Sequence, residues 1–189
     1  EAIAAGFDPK PVLVGPVTFL ALAKGVNGYN PWKKISDIAD TYAEIVGELS
    51  SMCGWIQIDE PILSSDLPSA GRDVFTDVYH RLNAAAGKAK LLLATYFDTL
   101  DDNLDLAFNS GCAGLHLDLA RGGANLDEVL AQFPEEMLLS AGIVEGRNIW
   151  KNDFERSLSV LQKIQAKLGS RIMIGSSCSL LHSPVDLAY

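Results

Sequence analysis

Short apolar runs alternate with amphipathic stretches along the whole chain, and each run ends in polar or glycine-bearing residues. Val12-Leu13-Val14 lies between Pro11 and Gly15-Pro16. Trp55 to Asp59, Leu91 to Phe97, Leu115 to Leu119, Met137 to Gly142 and Arg171 to Gly175 repeat the theme. Runs of this length, bounded by turn residues, predict buried strands. Between them, apolar residues recur at helical spacing. Thr18 to Lys24 predicts a short helix. Asp37 to Met52 predicts a longer one with Ile38, Tyr42, Ile45, Val46 and Leu49 on one face and Ser36 or Asp37 as cap. Asp73 to Ala86 carries Val74, Val78 and Leu82 on one stripe and stops at Gly87. Asp102 to Asn109, Leu126 to Phe133 and Asp153 to Leu168 complete the set, the last with Leu158, Leu161 and Ile164 facing inward.

Six strands alternating with helices require parallel pairing, because each strand must be followed by a crossover. The fold class is therefore α/β. An open doubly wound sheet and part of a (β/α)8 TIM barrel both fit. The fingerprint GxGxxG is absent after the first strand, which takes support from a dinucleotide fold. A closed barrel has eight strands and typically about 250 residues. Six strands in 189 residues predict an incomplete barrel of about six strand–helix units, spanning residues 1–189.

Composition narrows the partners. Hydrophobic residues make up 48% of the chain, enough for a folded core. A net charge of −9 argues against a nonspecific nucleic-acid or anionic-membrane binder, which wants a basic face. No apolar run approaches the roughly 20 residues of a membrane span. Cys53, Cys112 and Cys178 are odd in number, widely spaced and form no CxxC, so a reducing compartment such as the cytoplasm is expected. The chain opens on Glu1 and shows no signal peptide, so it is expected to be a piece of something longer.

In parallel α/β sheets, ligands meet the chain at the carboxyl ends of the strands. Those ends collect Asp59 and Glu60, Thr95 and Tyr96, His116 and Asp118, Ser140 and Gly142, then Ser176 to Cys178 with His182 beyond. Side chains alternate along a strand, so only one of Asp59 and Glu60 faces a barrel interior unless the turn at Pro61 re-aims the other. The plain alternative is a strand leaving into a polar loop. His116, Asp118, Cys178 and His182 are ligand types for zinc. No compact HxC or HExxH motif accompanies them, and a satisfied strand histidine with a buried cysteine is the simpler reading. Cys178 with His182 is a weak nucleophile pair, since Leu180-Leu181 between them suggests packing. Lys90 and Lys151 are badly placed for Schiff-base chemistry. Arg147 could bind an anion, or simply belong to a surface loop.

Six stretches carry a resemblance: KPVLVGPVTFL from Lys10, WIQIDEP from Trp55, KLLLATYFDTLDDNL from Lys90, GLHLDLARG from Gly114, LLSAGIVEGRNIWKND from Leu138 and SSCSLLHSPVDL from Ser176. In this order they resemble the amino-terminal half of cobalamin-independent methionine synthase. The resemblance implies two (β/α)8 barrels that look like products of a duplication. It implies transfer of a methyl group from a polyglutamylated methyltetrahydrofolate to homocysteine, and a zinc ion in the carboxy-terminal barrel held by two cysteines, a histidine and a glutamate. That zinc would lower the thiol's pKa and present a thiolate. By the same resemblance Asp59 matches an aspartate that contacts homocysteine in the other barrel, and Cys178 matches the last cysteine ligand. The HxC pair would fall near Thr95 and Phe97, the glutamate near Asp118, and the acid histidine between Glu145 and Arg147, where no histidine occurs.

The resemblance therefore implies a half without catalytic residues or a metal of its own. Its substrate-region candidates are Asp59, Glu60, Tyr96, Asp118, Cys178 and His182. Its expected partners are the carboxy-terminal barrel of the same protein, folate and homocysteine. Two other readings stay open. One is a stand-alone non-catalytic binding domain. The other is an independent metal-dependent barrel enzyme using Asp59, Asp118 and Cys178.

Overall fold

The computed structural model describes residues 1–121, 125–181 and 183. Six strands are seen: β1 (Val12–Val14), β2 (Trp55–Asp59), β3 (Lys90–Ala94), β4 (Gly114–Asp118), β5 (Leu138–Val144) and β6 (Ile172–Ser176). They alternate with α1 (Pro16–Leu22), α2 (Ile35–Leu49), α3 (Ser69–Ala85), α4 (Leu104–Phe108), α5 (Leu126–Ala131) and α6 (Phe154–Leu168). All pairings are parallel and the sheet order is β1-β2-β3-β4-β5-β6. A doubly wound sheet reverses its order at a switch point. This sheet does not reverse, so the order is that of a (β/α) barrel with six units present.

Register sorts the side chains into two faces. Leu13, Ile58, Leu93, Leu115, Leu139 and Ile172 form one continuous row, and the helices cover it. Burying one such leucine or isoleucine is worth about 2 kcal/mol, so this row and the helix residues upon it carry the core. Phe75, Tyr79, Leu82 and Ile164 are the helical side of that contact. On the opposite face the row is Val14, Asp59, Ala94, His116, Ser140 and Met173. Small and polar residues dominate it, as a barrel interior near a ligand face requires. At the two edge strands apolar side chains stay open to solvent, Val12 at 54% and Ile174 at 64%.

Several local expectations change. α1 begins at Pro16, two residues early, because proline at the first helical position forfeits no hydrogen bond. α2 begins at Ile35, with no side-chain cap from Ser36 or Asp37. A 3-10 turn at Pro31–Lys34 precedes it, and the Asn30 side chain caps that turn, accepting from the Trp32 N–H at 3.1 Å. Ile45 faces solvent and Ala39 is buried in its stead. In α3 the buried stripe is Phe75, Val78, Tyr79 and Leu82, with Val74 at its margin. In α6 Ile164 is buried and Leu161 packs against the core as expected, Ser157 and Leu168 are buried beside them, and of the expected trio only Leu158 turns outward, at 57% exposed. One residue is a 100° step around a helix, so a stripe read one position off puts a leucine outside. β3 stops at Ala94, three residues short of the expected end, since Phe97 turns to φ 91°.

Candidate functional site

The strand-end face holds an open cavity of about 350 Å³ lined by Lys10, Gln57, Asp59, Tyr96, His116, Ser140 and Cys178, among others. Asp59 is the last residue of β2 and points into it, on the same face as Gln57 two residues earlier. The Lys10 ammonium donates to Gln57 Oε1 at 2.7 Å, and Gln57 Nε2 donates to Asp59 Oδ1 at 2.8 Å. The Tyr96 hydroxyl donates to Asp59 Oδ2 at 3.0 Å. Lysine has only donors and carboxylate only acceptors, so this chain fixes the Gln57 amide in one orientation. Burial, with the Asp59 charge added, holds the Tyr96 hydroxyl well above the usual phenol range. Burial pulls Lys10 down, against the opposing pull of Asp59.

His116 and Ser140 form the cavity floor. His116 Nε2 lies 3.4 Å from the Ser177 carbonyl and Nδ1 lies 2.9 Å from Ser140 Oγ. A carbonyl only accepts, so Nε2 carries the hydrogen and Nδ1 accepts from the serine hydroxyl. Burial lowers the histidine pKa and keeps the ring neutral. Gly142 leaves the ring its space, because a Cβ there would come within 2.9 Å of it.

The remaining sequence candidates are spent on structure. Glu60 is turned away from the cavity and fully buried beneath α1, as alternation along β2 demands. Its carboxylate accepts from the Val17 and Thr18 N–H groups at 3.1 and 2.6 Å and from the Tyr79 hydroxyl at 2.9 Å. It therefore caps α1 from a neighbouring strand and does not join the side chains that line the cavity. Asp118 is buried as well. Its Oδ2 accepts from the Phe97 N–H at 3.1 Å, and its Oδ1 from the Ala120 and Arg121 N–H groups at 3.1 and 3.0 Å. It pins the loop after β3 where Phe97 adopts its left-handed conformation, and Arg147 stacks over that ring at 4.7 Å. Cys178 lines the cavity, but burial pushes its thiol up, and it packs against Gly146. His182 lies outside the described residues.

Zinc would need three or four free ligands converging on one point. Among the described residues no three His, Cys, Asp or Glu side chains do so. The donor set present also fits poorly. Both Asp118 oxygens hold backbone, the His116 nitrogens are engaged, and the Cys178 thiol is held protonated. The trio Asp59, Asp118 and Cys178 is thus not assembled as a metal centre. Sequence reading overlooked Lys10, which precedes its strand. Gln57 was legible in principle, two residues before Asp59 on the same face.

The pattern of the family described as "Cobalamin-independent synthase, N-terminal domain" matches residues 1–169. The chain belongs to the cobalamin-independent methionine synthase family. It is 47% identical over 190 residues to the 5-methyltetrahydropteroyltriglutamate–homocysteine methyltransferase of Syntrophotalea carbinolica, covering all of this chain and 25% of that protein. The enzyme of the same name from Coxiella burnetii is 46% identical over 188 residues, 98% of this chain and 24% of its own length. The chain thus spans about a quarter of the length of these family members. Among solved structures, a Listeria monocytogenes protein assigned as a vitamin-B12 independent methionine synthase matches with a TM-score of 0.66 at 13% identity, over 93% of this chain and 58% of that one. A psychrophilic family 10 xylanase matches at 0.54 and 12% identity, over 94% and 68%. At such identities the likeness concerns the fold, and family membership rests on the sequence matches. No helix among the described residues is long and apolar enough to cross a membrane.

Proposed function

We propose that this chain is a non-catalytic part of the amino-terminal half of a methyltransferase that moves a methyl group from 5-methyltetrahydropteroyltriglutamate to homocysteine. It serves as scaffold and as one wall of the substrate region, with Asp59, Tyr96 and Cys178 on that wall. The carboxy-terminal barrel of the parent protein is its partner and supplies the zinc that activates the thiol. The observation that carries this reading is the use of the reactive side chains. Glu60 and Asp118 are committed to backbone N–H groups, and the Cys178 thiol is buried and protonated. Three free thiols suit a reducing compartment, and the cytoplasm is the proposed location.

The test is Cys178→Ser in the full-length parent enzyme. Zinc content is expected to stay unchanged, with kcat/KM within about threefold of wild type, because less than 1 kcal/mol of transition-state stabilisation is removed. A loss above tenfold in a variant with wild-type melting behaviour, or a loss of bound zinc, overturns the reading.

A further inference from the structure

Among the described residues, two charged side chains line the strand-end cavity, the cation of Lys10 and the carboxylate of Asp59. Both stand on its inner face. Lys10 precedes Val12 by two residues, and Val12 lies opposite Gln57, while Asp59 follows Gln57 by two residues along β2. The two charges are joined through a single amide. The ammonium donates to Gln57 Oε1 at 2.7 Å, and Gln57 Nε2 donates to Asp59 Oδ1 at 2.8 Å. Each charge keeps capacity to spare. An ammonium has three hydrogens, of which Gln57 takes one, and each Asp59 oxygen accepts one bond and has room for another. We propose that this cavity binds a free α-amino acid with an apolar side chain, its carboxylate on Lys10 and its ammonium on Asp59.

Gln57 is the template for that pose. Its amide offers an acceptor to the lysine and a donor to the aspartate, and an α-amino acid offers the same pair in the same order. In the amide the two atoms share one carbon, and in the α-amino acid they stand one bond further apart. The ligand can therefore lie alongside the amide and reach both charges at hydrogen-bond length. Net charge is selected as well. An acid without an ammonium leaves Asp59 unpaired, and an amine without a carboxylate leaves Lys10 unpaired, whereas a zwitterion answers both. His116 and Ser140 compete for neither end, because the ring is neutral and engaged by the Ser140 hydroxyl and the Ser177 carbonyl. Beyond the charges the lining turns apolar, with Val12, Met173 and the protonated thiol of Cys178. The volume of about 350 Å³ falls within the roughly 300–1,000 Å³ of small-molecule sites. This amino-acid site rests on the reading of the face as a substrate-region wall, in that both take the cavity as open to a small molecule.

Leucine titrated into the intact 189-residue chain, followed by the methyl resonances of Val12 and Met173, reads the site. Saturable shifts with a Kd of about 1 mM are expected. 4-Methylpentanoate lacks the ammonium and 3-methylbutylamine lacks the carboxylate, and each should bind about tenfold more weakly or worse. Two variants exchange these preferences. Asp59→Asn should weaken leucine about tenfold without weakening 4-methylpentanoate, and Lys10→Met should weaken leucine similarly without weakening 3-methylbutylamine. A folding defect would lose both ligands together. No saturable shift up to about 10 mM leucine, equal affinity for the three ligands, or leucine binding untouched by both variants overturns the proposal. The Cys178→Ser test in the parent enzyme is separate: the amino-acid site can fail while zinc content and kcat/KM hold, and they can fall while the site binds.

Discussion

Asp118→Ala is expected to destabilise the chain by about 4 kcal/mol, because three backbone N–H groups lose a charged acceptor at one buried point. Each donor left without a partner costs about 1–3 kcal/mol, and water entering the space left by the carboxylate recovers part of the sum. The loss should be steep because the three donors lie on two segments. Phe97 follows β3, and Ala120 and Arg121 follow β4. The Phe97 backbone at φ 91° is strained for a bulky residue and persists only while its neighbours hold it. Asp118→Asn retains an acceptor for some of these donors but turns an NH2 group toward the others, so about half the loss is expected. Urea unfolding of the three proteins measures this. A loss under 1 kcal/mol in Asp118→Ala would mean that Asp118 does not hold the loops, and would return it to the set of free carboxylates at the strand ends.

Gly15→Ala should cost about 3 kcal/mol through overpacking at a buried site. The position has φ −70° and ψ 150°, which alanine adopts without strain, so the whole cost is steric. A Cβ there would stand 2.1 Å from the Glu60 carboxyl carbon. Elsewhere a side chain would swing aside. Here Glu60 is clamped by Val17, Thr18 and Tyr79, and moving it breaks the cap on α1. A double-mutant cycle with Glu60→Ala isolates the cause. In the Glu60→Ala background the three atoms nearest the added methyl are gone, so the second step should cost far less than in wild type. Strict additivity of the two losses would show that the clash is not with Glu60.

These two positions also show what the sequence could and could not say. Six apolar runs alternating with helical stretches were enough for a parallel α/β fold, since only crossovers can join such strands. The six ordered motifs were enough for the family, and the whole-chain matches agree. Periodicity was enough to part Asp59 from Glu60, because strand alternation is local geometry. What Glu60 does was not legible. Its partners are Val17 and Thr18, more than forty residues earlier, and Tyr79, which the expected α3 stripe of Val74, Val78 and Leu82 does not contain. Asp118 reads in sequence as a candidate ligand at a strand end. Its role depends on where the loop after β3 turns, which no pattern of residue types encodes. Lys10 joins the cavity only because β1 lies beside β2 in the sheet. The incomplete barrel expected from the missing GxGxxG, the strand count and the resemblance agrees with the unreversed strand order. The sequence by itself determined the elements, their parallel pairing and the family. The tertiary structure alone decided which carboxylates are free for chemistry, because satisfying a buried charge depends on contacts between segments distant along the chain.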